Sequence, residues 1–157
     1  MNKLEEFEEQ LTLDGIKVVW KKPSSKNGVY VQGSNGESYI FVSPNLTSGE
    51  KLSLLGHEAG HHYSNLTGMD SKDEVRANRW ASLQLLKIPD LISAIKRGCR
   101  SYYELSEYLS LDEEFLRTSV ALLATTNGEQ IEYENYTLHL LPIWVMDKDT
   151  GQVWPEE

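Results

Sequence analysis

Cysteine is nearly absent from this chain: Cys99 stands alone among 157 residues. One thiol cannot close an internal disulfide. That excludes a disulfide-stapled secreted scaffold and fits a reducing, cytoplasmic compartment. Long apolar runs are missing too, and nothing approaches the roughly 20 consecutive residues that a bilayer-spanning helix needs. The opening stretch Met1–Gln10 is acidic and has no apolar segment, unlike a secretory signal. Positive charge is in deficit: 15 Lys and Arg against 24 Asp and Glu leave a net charge of -9. Phosphate backbones and anionic membrane surfaces repel such a chain, so neither is expected as a direct partner. Internal repeats and low-complexity segments are also lacking.

What is present suffices for a core. The chain is 39% hydrophobic and 10% aromatic, with 25% charged residues, which is a globular and not a disordered composition. At this length a folded chain buries roughly two-thirds of the surface that its unfolded form exposes. Leu4, Phe7 and Leu11 have helical spacing. Ile16–Trp20 reads as a strand. Val29–Gln32 and Glu37–Val42 flank Gly33-Ser34-Asn35-Gly36, a hairpin signal. The first 45 residues thus predict a small antiparallel sheet. The middle is helical. Four S/T-x-x-E patterns (Thr47/Glu50, Ser71/Glu74, Ser101/Glu104, Ser110/Glu113) read as capping boxes. They predict helices over 49–64, 72–87, 102–109 and 111–125, with a further short helix between Pro89 and Gly98. Beyond Gly128, 130–133 and 136–145 read as strands, the second interrupted by Pro142. The class is α+β: a small antiparallel sheet followed by a helical core.

The chemistry concentrates at His57-Glu58-Ala59-Gly60-His61, an H-E-x-x-H pattern inside a predicted helix. At 3.6 residues per turn, His57 and His61 differ by about 40° and one turn of rise, so both imidazoles face one point. Glu58 lies about 100° round from His57 and can serve a water without being a ligand. Two imidazoles suit zinc, but a catalytic site needs a third ligand and an open position. His62 points about 100° away from His61 and is a poor third ligand. His139, in a late strand, stays open. Glu74 is the best placed: it sits in the first turn of the next helix, after a loop (Asn65–Asp70) that turns the chain back. Its place opposite Ser71 also has a plain capping explanation. Ala77 and Ala81 continue its stripe and would let the two helices approach closely. His62 and Tyr63 read as packing or surface groups, and Cys99 as a small hydrophobe or an inert thiol.

These residues resemble the ImmA/IrrE family of zinc metallopeptidases, in particular the short forms carried by prophages and other mobile elements of Gram-positive bacteria. The family's H-E-x-G-H core matches His57, Glu58, Gly60 and His61. Its second signature, E-x-x-A-N/D-x-W/F-A, matches Glu74, Ala77, Asn78, Trp80 and Ala81. Gly28-Val29-Tyr30 is similar to the lead-in to the zinc helix. Tyr103–Leu109 with Glu114-Phe115-Leu116 is similar to the helical tail. The resemblance covers about residues 18–128. Ala59 stands where the family usually has a larger apolar residue, and the proline after the second signature comes later, at Pro89.

The resemblance implies a zincin-like core in which His57, His61 and Glu74 hold one zinc ion and Glu58 is the catalytic base. It implies an endopeptidase that cleaves a cognate helix-turn-helix repressor and so relieves repression of a mobile element or a stress response. Residues 1–128 would form the peptidase domain with its helical tail, and 129–157 a strand-rich extension packed on the same domain. The strand near Ser38–Val42 is the expected edge for pairing with an extended peptide. Helices 102–109 and 111–125 have helix-turn-helix spacing, but Asp112, Glu113 and Glu114 would repel phosphates, so the pair reads as a packed or partner-binding element. The alternative function is a non-catalytic module that sequesters the repressor. It would need no base, and Glu58 is present.

Overall fold

The computed structural model describes residues 1–64 and 71–156, so the expected turn at Asn65–Asp70 lies outside the described residues. The class is α+β: among the described residues there are six helices, a three-stranded sheet and a four-stranded sheet. Two compact units divide the chain, Met1–Leu85 and Leu86–Glu157. Among the described residues, no helix is long and apolar enough to cross a membrane.

The first unit opens with α1 (Lys3–Leu13), capped by the Asn2 side chain, which accepts from the Glu5 N–H. Strands β1 (Ile16–Trp20), β2 (Gly28–Gln32) and β3 (Ser38–Val42) follow, then helices α2 (Ser48–Tyr63) and α3 (Ser71–Leu85). The expected hairpin forms: β2 pairs antiparallel with β3 across the Gly33–Gly36 turn, where Gly36 takes φ +83°. The sheet is not antiparallel throughout, however. Its order is β1-β3-β2, and β1 pairs parallel with β3. Residues 21–27 carry the chain past β3 before it returns through the hairpin, so β1 and β3 run the same way. This placement also corrects the expected substrate edge: Ser38–Val42 is the central strand, and β2 is an edge.

Alternation explains how the sheet meets α2. Ser38, Ile40 and Val42 are buried while Tyr39 and Phe41 between them are less so. Ile40 and Val42 join Leu11, Ile16, Leu55 and Ala59 in one core. Thr47 and Glu50 form the predicted capping box at the start of α2. Helices α2 and α3 pack through small residues. A Cβ on Gly60 would lie 2.5 Å from the Ala77 carbonyl oxygen, and one on Gly56 would meet Leu85 at 2.6 Å and Ala81 at 3.4 Å.

The second unit holds α4 (Ile88–Lys96), α5 (Tyr102–Leu109), α6 (Glu113–Asn127) and an antiparallel sheet of β4 (Gln130–Tyr133), β5 (Tyr136–Leu140), β6 (Ile143–Asp147) and β7 (Val153–Trp154). Helix α4 meets β6, and α6 meets β4 and β5. The expectation is one domain over 1–128 with 129–157 packed on it; α4–α6 form one compact unit with the C-terminal sheet. The apolar faces of α4 and α6 find their cover on Leu138, Leu140 and Val145 of that sheet, all fully buried. The expected strand 136–145 is two strands, with Leu141-Pro142 between them. The start of α6 also differs. Asp112, not Ser110, is its cap and accepts from the Phe115 N–H at 3.0 Å. Ser110 instead ends α5 in the left-handed region, φ 55°.

Candidate metal centre

The site begins with the helical phase of α2. His57 and His61 lie one turn apart, with ring centroids 5.0 Å apart and planes nearly perpendicular. The potential ligand atoms of His57, Glu58 and His61 lie within 4.8 Å of one another, close enough to bind a metal ion. Helix α3 adds a second carboxylate. Glu74 reaches both rings: Oε2 is 2.7 Å from His57 Nε2, and Oε1 is 3.3 Å from His61 Nε2. Glu74, one of the two candidates for a third ligand that the spacing left open, stands beside both histidines. The Glu74 side chain is 48% exposed against 5% for His61, so solvent reaches the carboxylate while the imidazole is sealed.

The approach of α3 follows from the sequence. Ala77 and Ala81 are fully buried, and Gly60 leaves no Cβ to hold the helices apart. Glu74, Ala77, Asn78 and Ala81 sit at i, i+3, i+4 and i+7, on one face. That face therefore brings a carboxylate and an amide to the histidines together. Asn78 Oδ1 lies 2.6 Å from His57 Nδ1. A neutral imidazole has a single N–H to give. With Nδ1–H donated to Asn78, the lone pair stays on Nε2 and is directed at the Glu74 carboxylate. A shared cation satisfies both the lone pair and the carboxylate. Ligand atoms about 2.0–2.1 Å from a tetrahedral ion stand roughly 3.3 Å apart; the His61–Glu74 separation of 3.3 Å matches that spacing, and the 2.7 Å between His57 and the other Glu74 oxygen is shorter than it. His61 Nδ1 is buried with no hydrogen-bond partner among the described residues, and Nε2 is the ring nitrogen that faces Glu74. The donor set, two imidazole nitrogens and a carboxylate with one ring oriented from behind, fits a divalent metal.

Glu58 sits beside this group and is 9% exposed. Burial disfavours its charged form and raises its carboxyl above the ordinary range; the neighbouring histidines and a backbone hydrogen bond from Tyr30 pull the other way. A buried carboxyl held above its usual range is suited to both taking and giving a proton.

The other sequence candidates are engaged elsewhere. His62 Nδ1 is 2.9 Å from the Tyr30 hydroxyl. Tyr63 stacks on Trp80 at 4.7 Å and donates its hydroxyl to Asp14, so it ties α2 to α3 and to the end of α1. Its hydroxyl is pushed well above its ordinary pKa, mainly by burial. His139 lies in the second unit, where it stacks on Trp144 at 4.9 Å and its Nδ1 is 2.6 Å from the Pro142 carbonyl oxygen. Cys99 is partly buried, and burial with the nearby Glu104 carboxylate pushes its thiol up, away from a reactive thiolate. Two contributors went unassigned in the sequence reading: Asn78 and Tyr30. Position i+4 from Glu74 could have flagged the first. Tyr30 carried no such signal, because its contact with Glu58 is made by the main chain.

Compared with protein-family models, with curated proteins and with solved structures, the chain matches none.

Proposed function

We propose that the protein is a zinc-dependent endopeptidase of the ImmA/IrrE type, with a zincin-like active-site helix, that cleaves a cognate helix-turn-helix repressor in the cytoplasm. The observation that carries the reading is the convergence of His57, His61 and Glu74, with both Nε2 atoms turned toward one carboxylate. His57, His61 and Glu74 would hold the ion. Zinc so held supplies Lewis acidity toward a scissile carbonyl and toward water.

The chain's own residues do the rest. Asn78 fixes the His57 ring, and the packing of α2 on α3 fixes the distance between histidines and carboxylate. Glu58 takes a proton from the attacking water as its oxygen bonds to the carbonyl carbon. It then delivers the proton to the amine as the carbon–nitrogen bond breaks. Strand β2 supplies an open edge. The ladder bonds Ser43 N–H to Asn27 C=O and Gly33 N–H to Glu37 C=O place odd-numbered β2 residues toward β3, so the main-chain groups of Gly28, Tyr30 and Gln32 point outward. An extended peptide would pair along that edge by strand addition.

The test is to express Glu58→Gln beside a candidate helix-turn-helix repressor. Retained zinc with loss of repressor cleavage is the expected result. Repressor removal that continues undiminished in this variant would favour the sequestering module.

A further inference from the structure

Helix α3 turns Glu74, Ala77 and Ala81 toward α2. The opposite side of the same helix carries Lys72, Arg76 and Arg79 at i, i+4 and i+7, all exposed. With Ser71 and Val75 they line a groove of about 280 Å³. Val75 is 47% exposed, and Leu83, one turn beyond Arg79, is 57% exposed. Among the described residues, none of the three cations has a carboxylate within ion-pair distance. Cations elsewhere are engaged: Arg117 with Glu113 and the Tyr102 ring, Lys148 with Glu132, Lys96 over Tyr136 and Trp154. In a chain with 24 acidic residues against 15 basic ones, a basic stripe without acidic neighbours stands out. The fold does not need it. Like charges at i, i+4 destabilise a helix, and Lys72 in the first turn opposes the helix dipole.

We infer that the outer face of α3 docks an acidic peptide segment of the protein substrate, with Lys72, Arg76 and Arg79 binding its carboxylates and Val75 and Leu83 meeting its apolar side chains. That the segment belongs to a substrate rests on the peptidase reading above; the docking itself does not. The three cations span about 10 Å of helix, the reach of a few peptide carboxylates, and each guanidinium can take one in a two-pronged bond. Nucleic acid suits the face less well. Three cations do not offset the repulsion between a duplex phosphate backbone and a chain of net charge -9, and exposed Val75 and Leu83 offer nothing to phosphates. Because Glu74 and the stripe share one helix, a segment held there lies about one helix diameter from the candidate metal centre.

The test titrates the full-length, zinc-loaded chain with a short peptide of Glu-Glu-Leu repeats and follows backbone amide signals by NMR. Shifts are expected at Lys72, Val75, Arg76, Arg79 and Leu83, with binding weakened by added salt. The Gln-Gln-Leu counterpart should give none. Replacing Lys72, Arg76 and Arg79 together by Gln should weaken binding about tenfold or more, the sum of three exposed ion pairs, while Arg76→Lys with Arg79→Lys stays within a few-fold of the wild type. Replacing Lys21, Lys22 and Lys26 by Gln removes the same charge from a loop and should change binding little. The inference is overturned if the shifts fall elsewhere, if the two triple variants weaken binding equally, or if a short DNA duplex shifts α3 more strongly than the acidic peptide. A cleavage assay separates the two readings. Quenched fluorescent peptides extended by the Glu-Glu-Leu tract should show a KM about tenfold lower than those extended by Gln-Gln-Leu, and the α3 triple variant should lose that difference. Binding at α3 by a wild type that cleaves neither set would sink the peptidase reading and leave the docking face standing. Cleavage of both sets with equal KM would overturn the docking of substrate and leave the peptidase reading intact.

Discussion

Asn78 touches His57 and not the place where an ion would sit, yet it decides which ring nitrogen carries the lone pair. Groups that orient metal ligands from behind are worth about 10–100-fold in affinity. Asn78→Ala is therefore expected to weaken zinc binding by that factor, measured by competition with a chromogenic chelator, while Asn78→Asp, which keeps the acceptor, stays close to the wild type. Glu58→Gln should leave the same affinity unchanged within a few-fold and lower peptide hydrolysis by about 10²–10⁴, the usual span for a general base. At this scale much was legible in the sequence. The i, i+4 spacing of His57 and His61 fixes their common direction whatever surrounds the helix. Glu74 was harder to assign from residues alone, because an acidic side chain in a first helical turn also suits a cap. Tyr30 was not legible as a contact to Glu58, since any residue type presents the same N–H.

Among the elements, the pairing of α2 with α3 carries the site. Gly60 permits it: a methyl there would have to occupy space within 2.5 Å of the Ala77 carbonyl, which is backbone and cannot swing aside. Gly60→Ala should force the helices apart, destabilise the protein by about 1–3 kcal/mol in urea unfolding and weaken zinc binding in the same variant. Gly36→Ala, where nothing lies within 4 Å, would cost only the strain of φ +83° and leave zinc affinity alone. Helix ends were readable where a capping side chain met its target, as at Thr47 and Ser101. They were misread at α6, where Ser110 and Asp112 competed and the carboxylate won the cap. The order of the first sheet was not readable either. Strand propensity and a hairpin turn set which residues extend, but the side of β3 on which β1 lands depends on how α1 and α2 cover the sheet.

For the whole molecule, the division into Met1–Leu85 and Leu86–Glu157 places His57, Glu58, His61, Glu74 and Asn78 in one unit. A ligand that binds only the folded state stabilises what it binds. Zinc removal by a chelator should therefore lower hydrogen-exchange protection in α2 and α3, and leave β4–β6 at the rates they show with zinc bound. Uniform loss across both units would contradict a site built wholly within the first. The composition foretold a globular chain with a sizeable core. It could not foretell that the helices after Leu85 would side with the C-terminal sheet, because that grouping is settled by which apolar faces cover one another.

The central claim is that two imidazoles from α2 and one carboxylate from α3 share a divalent ion. The measurement that bears on it most directly is zinc content per chain, by elemental analysis after exhaustive dialysis, for the wild type and for Glu74→Ala with its folding verified by circular dichroism. The account predicts one zinc per wild-type chain and its loss, or a strongly weakened affinity, in the folded variant. A Glu74→Ala protein that keeps one zinc with undiminished affinity would contradict it.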